Sequence, residues 1–174
     1  MTTNNHAKDQ AAAQLSSIRG CLAALNCDYE RLEELRELAI EHREFNLNNP
    51  GVSNRPETDE QWNTEAAELA ELEAAAHDCK DQDEARECIQ EDPLSVQVRS
   101  GWANPGETFE AEEFAILLCT GGPAVRIMGD LDEHNQPSRA YMQYQDWGTP
   151  WTDYFEEGMA ATCLEYAQQF YFGD

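Results

Sequence analysis

The apolar residues change their spacing near Pro93, and this change divides the chain into two kinds of structure. Before it, Leu15, Ile18, Leu22, Leu25, Tyr29, Leu32 and Leu35 recur at steps of three and four, which keeps one face of an α-helix apolar. After it, Leu94-Ser95-Val96-Gln97-Val98-Arg99 alternates, as in a strand that turns one side to a core. A chain of 174 residues can bury a sizeable core, but its length suits one domain with a helical extension better than two large independent ones.

The first pattern predicts a helix from about Lys8 to Leu47, with Gly20 and Asn26-Cys27-Asp28 as its weak points. Residues 1–14 are polar and are expected to contribute a flexible tail. Asn46 to Arg55, with Asn48-Asn49-Pro50-Gly51 at its centre, is rich in breakers and reads as a loop. A second helix is expected to start at Pro56-Glu57-Thr58-Asp59-Glu60, where proline and acids suit a first turn, and to run to about Cys79. Asp81 or Asp83 then caps a short helix that ends before Asp92-Pro93.

Strands are expected at Leu94–Arg99, Phe114–Cys119, Ala124–Met128 and Arg139–Tyr144, with turn chemistry over Gly129–Ser138. A last helix, about Glu157 to Phe170, turns Met159, Cys163, Tyr166 and Phe170 toward the sheet. The fold class is therefore α+β: an N-terminal antiparallel helical hairpin, then a small antiparallel β-sheet with a C-terminal helix. In domain terms this gives a tail over 1–14, an acidic hairpin over 15–92 and an α+β domain over 93–174.

Charge limits the partners. The formal net charge is -24, from 35 acidic and 11 basic residues, and such a field repels nucleic acid and anionic membranes while favouring a basic protein surface. Only Lys8 and Lys80 are lysines, a composition that adaptation to high salt also produces. No apolar run approaches the roughly 20 residues of a spanning helix, and the N-terminus lacks a signal-like apolar core, so a soluble cytoplasmic protein is expected. The six cysteines are scattered, which predicts reduced thiols and neither a zinc site nor a disulfide scaffold. No cofactor is expected.

The acids are patterned. At 100° per residue, Glu30, Glu33, Glu34, Glu37, Glu41 and Glu44 share one sector of the first helix, away from its leucines. On the second helix Glu57, Glu60, Glu68, Glu71 and Asp78 form a similar file, opposite Trp62, Leu69, Leu72, Ala76 and Cys79. Like charges three or four residues apart destabilise an isolated helix, so two same-sign files point to a basic partner. Carboxylates at that spacing resemble the phosphate lanes of DNA and fit the basic groove of a protein that binds nucleic acid. The candidate contacts are Glu30, Glu33, Glu37, Glu41 and Glu44 with Glu60, Glu68, Glu71 and Asp78, and the aromatic turn Trp147-Gly148-Thr149-Pro150-Trp151 offers Trp147 and Trp151 as anchors. An acidic adaptor for some other basic protein is the first alternative.

A small enzyme is the second. Cys119 precedes Thr120-Gly121-Gly122-Pro123, with Arg126 beyond, and His134 is the one histidine in the same half of the chain. A reactive thiol needs a base and an electropositive site. The apolar run before the glycines and the alternation after them favour a tight turn between two strands, with Cys119 facing the core or lying at an edge. Asp130-Leu131-Asp132-Glu133-His134-Asn135 gathers oxygen ligands but lacks the glycine and terminal glutamate of a calcium loop, and reads as a hairpin turn. No catalytic or metal-binding residue is assigned.

Several stretches together carry a resemblance: Asp92-Pro93-Leu94-Ser95-Val96, Arg99-Ser100-Gly101-Trp102, Ile116 to Ile127, Tyr144-Gln145-Asp146-Trp147-Gly148-Thr149-Pro150-Trp151 and Gln169-Phe170-Tyr171-Phe172-Gly173. They resemble small acidic proteins carried by proteobacterial phages and conjugative elements, and Asn26 to Leu35 is similar to the N-terminal helix of that group. The likeness covers most of the chain after Leu15. It implies genomic company, because such elements carry acidic proteins that disarm restriction or CRISPR systems, several by imitating DNA. It transfers no residue roles.

Overall fold

A computed structural model describes residues 6–49, 59–102, 104–106 and 110–173. Its elements are α1 (His6–Leu25), α2 (Tyr29–Asn48), α3 (Asp59–Ala76), α4 (Gln82–Glu91), β1 (Ser95–Ser100), β2 (Ala111–Cys119), β3 (Ala124–Leu131), β4 (Pro137–Gln145), β5 (Thr152–Asp153) and α5 (Met159–Ala167). The chain divides into two compact units, one combining the residues up to Leu22 with those from Arg86 onward, the other spanning Ala23–Ala85. The α+β class, the antiparallel sheet and the C-terminal helix are as expected, but these units do not follow boundaries at 14 and 92.

In the first unit the five strands form an antiparallel meander in chain order. Across its centre Ile116 pairs with Ile127 and Ile127 with Met142, so one face collects Phe114, Ile116, Leu118, Val125, Ile127, Ala140 and Met142, all buried. Helix α5 adds Met159, Cys163, Tyr166 and Ala167 to this core. Helix α1 adds Ala7, Ala11, Leu15, Ile18 and Leu22, a single stripe at steps of three and four, each at most 6% exposed. The stripe begins inside the segment expected to be a tail: residues 6–14 are helical, and the small side chains of Ala7 and Ala11 allow close packing.

Polar contacts pin the helices of this unit. Arg19 of α1 reaches Glu156 at 2.6 Å, and the same carboxylate accepts the Tyr154 hydroxyl at 2.6 Å. Tyr166, fully buried on α5, donates its hydroxyl to Asp92 at 2.7 Å, just past the end of α4. Gly129 sits on the inner face with the Phe114 ring where a Cβ would stand, so the residue type is fixed by close approach. The alternation of β1 is present, but its expected burial is not: Val96 and Val98 share the face of Ile116 and Phe114 and remain 39% and 51% exposed. Strand β1 is an edge, and the apolar cover ends before it.

The second unit contains the helical hairpin. The periodic run from Lys8 to Leu47 is broken at Asn26–Asp28, where Asp28 caps α2 by accepting the Arg31 backbone N–H at 3.0 Å. Helices α2 and α3 lie antiparallel: the Cys27 thiol reaches the Leu72 carbonyl near one end, and the His42 and Trp62 rings stack 4.0 Å apart nearer the other. Leu32 and Leu35 are buried, and Ala24, Cys79 and Ala85 form a small cluster with Tyr29. Past α3 the chain turns through His77 and Asp78 at φ of 49° and 67°, and Asp81 caps α4 by accepting the Glu84 N–H. The helix start at Pro56–Thr58 and most of the expected loop, 50–55, lie outside the described residues.

Because α1 supplies core to the sheet, Ile18→Ala is expected to lower unfolding free energy by about 2–5 kcal/mol. Ala11→Asp is expected to destabilise as well, by placing a charge at a fully buried position. Urea denaturation of both variants checks this; an unchanged midpoint for Ala11→Asp would restore the tail.

Candidate functional site

Glu30, Glu33, Glu37, Glu41 and Glu44 are all exposed on α2, within a sector of about 80°, and opposite the buried Leu32 and Leu35. Among the described residues no cation lies within ion-pair distance of Glu30, Glu37, Glu41 or Glu44, while Glu33 stands 3.8 Å from Arg36. Five carboxylates thus follow one another over about 21 Å of helix. One strand of B-DNA presents about six phosphates over the same axial length.

The file on α3 is not continuous. Arg31 holds Glu68 in a two-pronged contact, Nε to Oε1 at 3.0 Å and Nη2 to Oε2 at 2.9 Å, and gives Nη1 to Glu34 at 3.1 Å. These hydrogen bonds from Arg31 hold the Glu68 carboxyl below the usual glutamate range. Arg36 reaches Glu73 across the same seam at 3.7 Å. Asp78 is beyond the last turn of α3, in a left-handed conformation, and is not part of a helical file. Glu57 lies outside the described residues. Glu60 and Glu71 remain on the outer side of α3, with Asn63, Thr64 and Ala67 beside them along a shallow depression whose rim Glu68 also borders. Of the two expected lanes, the one on α2 is intact.

Trp147 and Trp151 belong to the sheet unit. Trp147 is 78% exposed, yet its indole covers Gly122, whose φ of 74° and close neighbour both demand glycine in the β2–β3 turn. Trp151 lies beneath Arg126, with the guanidinium 4.1 Å from the ring centroid. Arg126 also donates from Nε and Nη2 to Gln143 Oε1 at 3.0 and 2.7 Å, and Gln143 Nε2 donates to Asp153 at 2.8 Å. Burial lowers the Arg126 pKa from its usual value. The sequence pattern contains no sign of this row, because strand register and the unexpected β5 create it.

The β2–β3 turn explains the glycines beside Cys119, as expected. Burial pushes the Cys119 thiol upward, against weaker opposing effects of the Val125 backbone and the Gln10 side chain. Cys119 pairs with Val125 near the start of β3, whereas His134 follows the end of that strand, so the two are separated by about 20 Å of extended chain. That geometry gives Cys119 no dyad with His134. The structure places Asp130 and Leu131 in β3, and in the turn that follows one oxygen of the Asp132 carboxylate, Oδ1, accepts the backbone N–H groups of His134 and Gln136, at 2.8 and 2.9 Å.

The chain matches no protein-family model, no curated protein and no solved structure. Among the described residues no helix is long and apolar enough to cross a membrane.

Two outcomes are expected. The lowered Glu68 pKa means that its contribution to stability is present above the usual glutamate range and is lost as pH falls through the folded-state value. Side-chain carbon NMR is expected to show Glu68 titrating below ordinary glutamate, and to return it upward in Arg31→Gln. For the thiols, iodoacetamide at neutral pH is expected to label exposed Cys88 before Cys119, as read by mass spectrometry of peptides.

Proposed function

We propose that the protein is a non-enzymatic inhibitor from a mobile element, whose acidic hairpin occupies the nucleic-acid groove of a host defence complex, a restriction enzyme or CRISPR effector. The observation that carries this reading is the α2 lane: exposed glutamates, four of them without a cation among the described residues, on a helix held by its opposite face. Mutual repulsion along that lane is unfavourable in the free protein and is relieved when a basic groove supplies counter-charge. Glu60 and Glu71 extend the negative surface, whereas Glu68, held by Arg31, serves the hairpin. Association driven by such a lane is fast and weakens steeply with salt.

The interruption of the α3 file supports a second reading, an acidic adaptor for a basic partner that does not bind nucleic acid. The two readings part in one experiment. The tagged protein and a Glu30, Glu37, Glu41 and Glu44 to lysine variant are passed through host lysate, and duplex DNA is added as competitor. Inhibition by DNA mimicry predicts capture of a nucleic-acid-binding complex by the wild type, release by duplex DNA, and loss of capture by the variant at unchanged thermal stability. Capture that persists in the variant overturns both readings; capture that DNA does not displace selects the adaptor.

A further inference from the structure

We propose that the open face of the sheet carries a binding site for a single carboxylate on a small apolar body, centred on Arg126 and Trp151. The face opposite the buried core displays Arg99, Arg126 and Arg139, which are all the basic residues of the chain after Arg86. Two of them are neutralised locally: Arg99 pairs with Glu113, and Arg139 stands 3.5 Å from Asp130. Arg126 has no carboxylate within ion-pair distance among the described residues, although the chain has 35 acids.

Its geometry is that of a prepared donor. A guanidinium has five N–H donors, and Gln143 Oε1 engages only Nε and Nη2, which leaves both N–H groups of Nη1 and one of Nη2 for a two-pronged carboxylate contact. Asp153 holds the Gln143 amide so that its oxygen faces the arginine, and the Trp151 ring fixes the plane from one side. Asp153 thereby orients the cation through Gln143 without direct ion pairing.

Beside Arg126 lies a depression of about 200 Å³, bordered by Gln97, Arg99, Ala115 and Met128 and by Glu113, whose carboxylate is taken up by Arg99. Ala115 is the small residue of its cross-strand row, between Gln97 and Met128, and its size leaves room above the sheet. The volume is below that of a drug-sized pocket, so it suits one ring or one branched aliphatic group. A polyanion is disfavoured by the field of a chain at -24, whereas a monoanion brings a single charge to an uncompensated cation.

The test uses the full chain labelled with nitrogen-15 and follows the Arg126 Nε–H and Trp151 indole N–H signals by NMR. Sodium phenylacetate is the probe for a free acid, with neutral phenylacetamide as control. A short peptide ending in phenylalanine, with its C-terminus free or amidated, probes a carboxylate carried on a polypeptide. Saturable shifts in the millimolar range with either carboxylate, absent with its amide, are expected, as is a loss of about tenfold or more in affinity for Arg126→Gln. The Trp147 indole signal reports whether that variant stays folded. Ala115→Leu, which fills the depression and leaves Arg126 intact, is expected to weaken binding as well. Equal shifts with acids and amides, no saturable shift with either acid, or unchanged affinity in either variant overturns the proposal.

Discussion

Two carboxylate-rich helices can lie side by side only if some of their charge is neutralised in the seam between them. Arg31 does this in the hairpin by clasping Glu68 across the seam and Glu34 along its own helix, while Arg36 bridges toward Glu73 and Glu33. Few apolar side chains support the pairing, chiefly Leu32, Leu35 and the stacked His42 and Trp62 rings. The arginines therefore determine which acids serve the fold and which remain open to a partner.

That division sharpens the acidic surface. A count of acids treats Glu68 and Glu41 alike, yet one is bound on both oxygens and the other has no cation within ion-pair distance among the described residues. On α2 the glutamates left without an ion pair lie on the side turned away from Leu32 and Leu35. In the sheet unit the same economy of cations has another result, since three arginines occupy one face and only two are matched by acids there.

The helical periodicity and the strand alternation made the element types legible, because both follow from one apolar face meeting one core. Asn26-Cys27-Asp28 carried the helix break, and Thr120-Gly121-Gly122-Pro123 carried the turn. Residues 6–14 misled because Ala7 and Ala11 form a core-facing stripe that has little hydropathic contrast. The α2 lane was readable since it depends on one helix alone. The loss of Glu68 from the second lane, and the Arg126–Gln143–Asp153 row, depend on which residues meet across elements, and no local spacing encodes that.

The bare edge of β1 gives the net charge another meaning. An exposed strand with Val96 and Val98 uncovered is a template on which a second copy can add, and its sequence has neither a lysine nor a proline to block pairing. What opposes that association is long-range: any approaching copy carries the same large negative charge. The guard weakens as pH falls toward the isoelectric point of about 4.2, where carboxylates protonate. The acids of this chain thus act as its colloidal protection, over and above any surface they imitate.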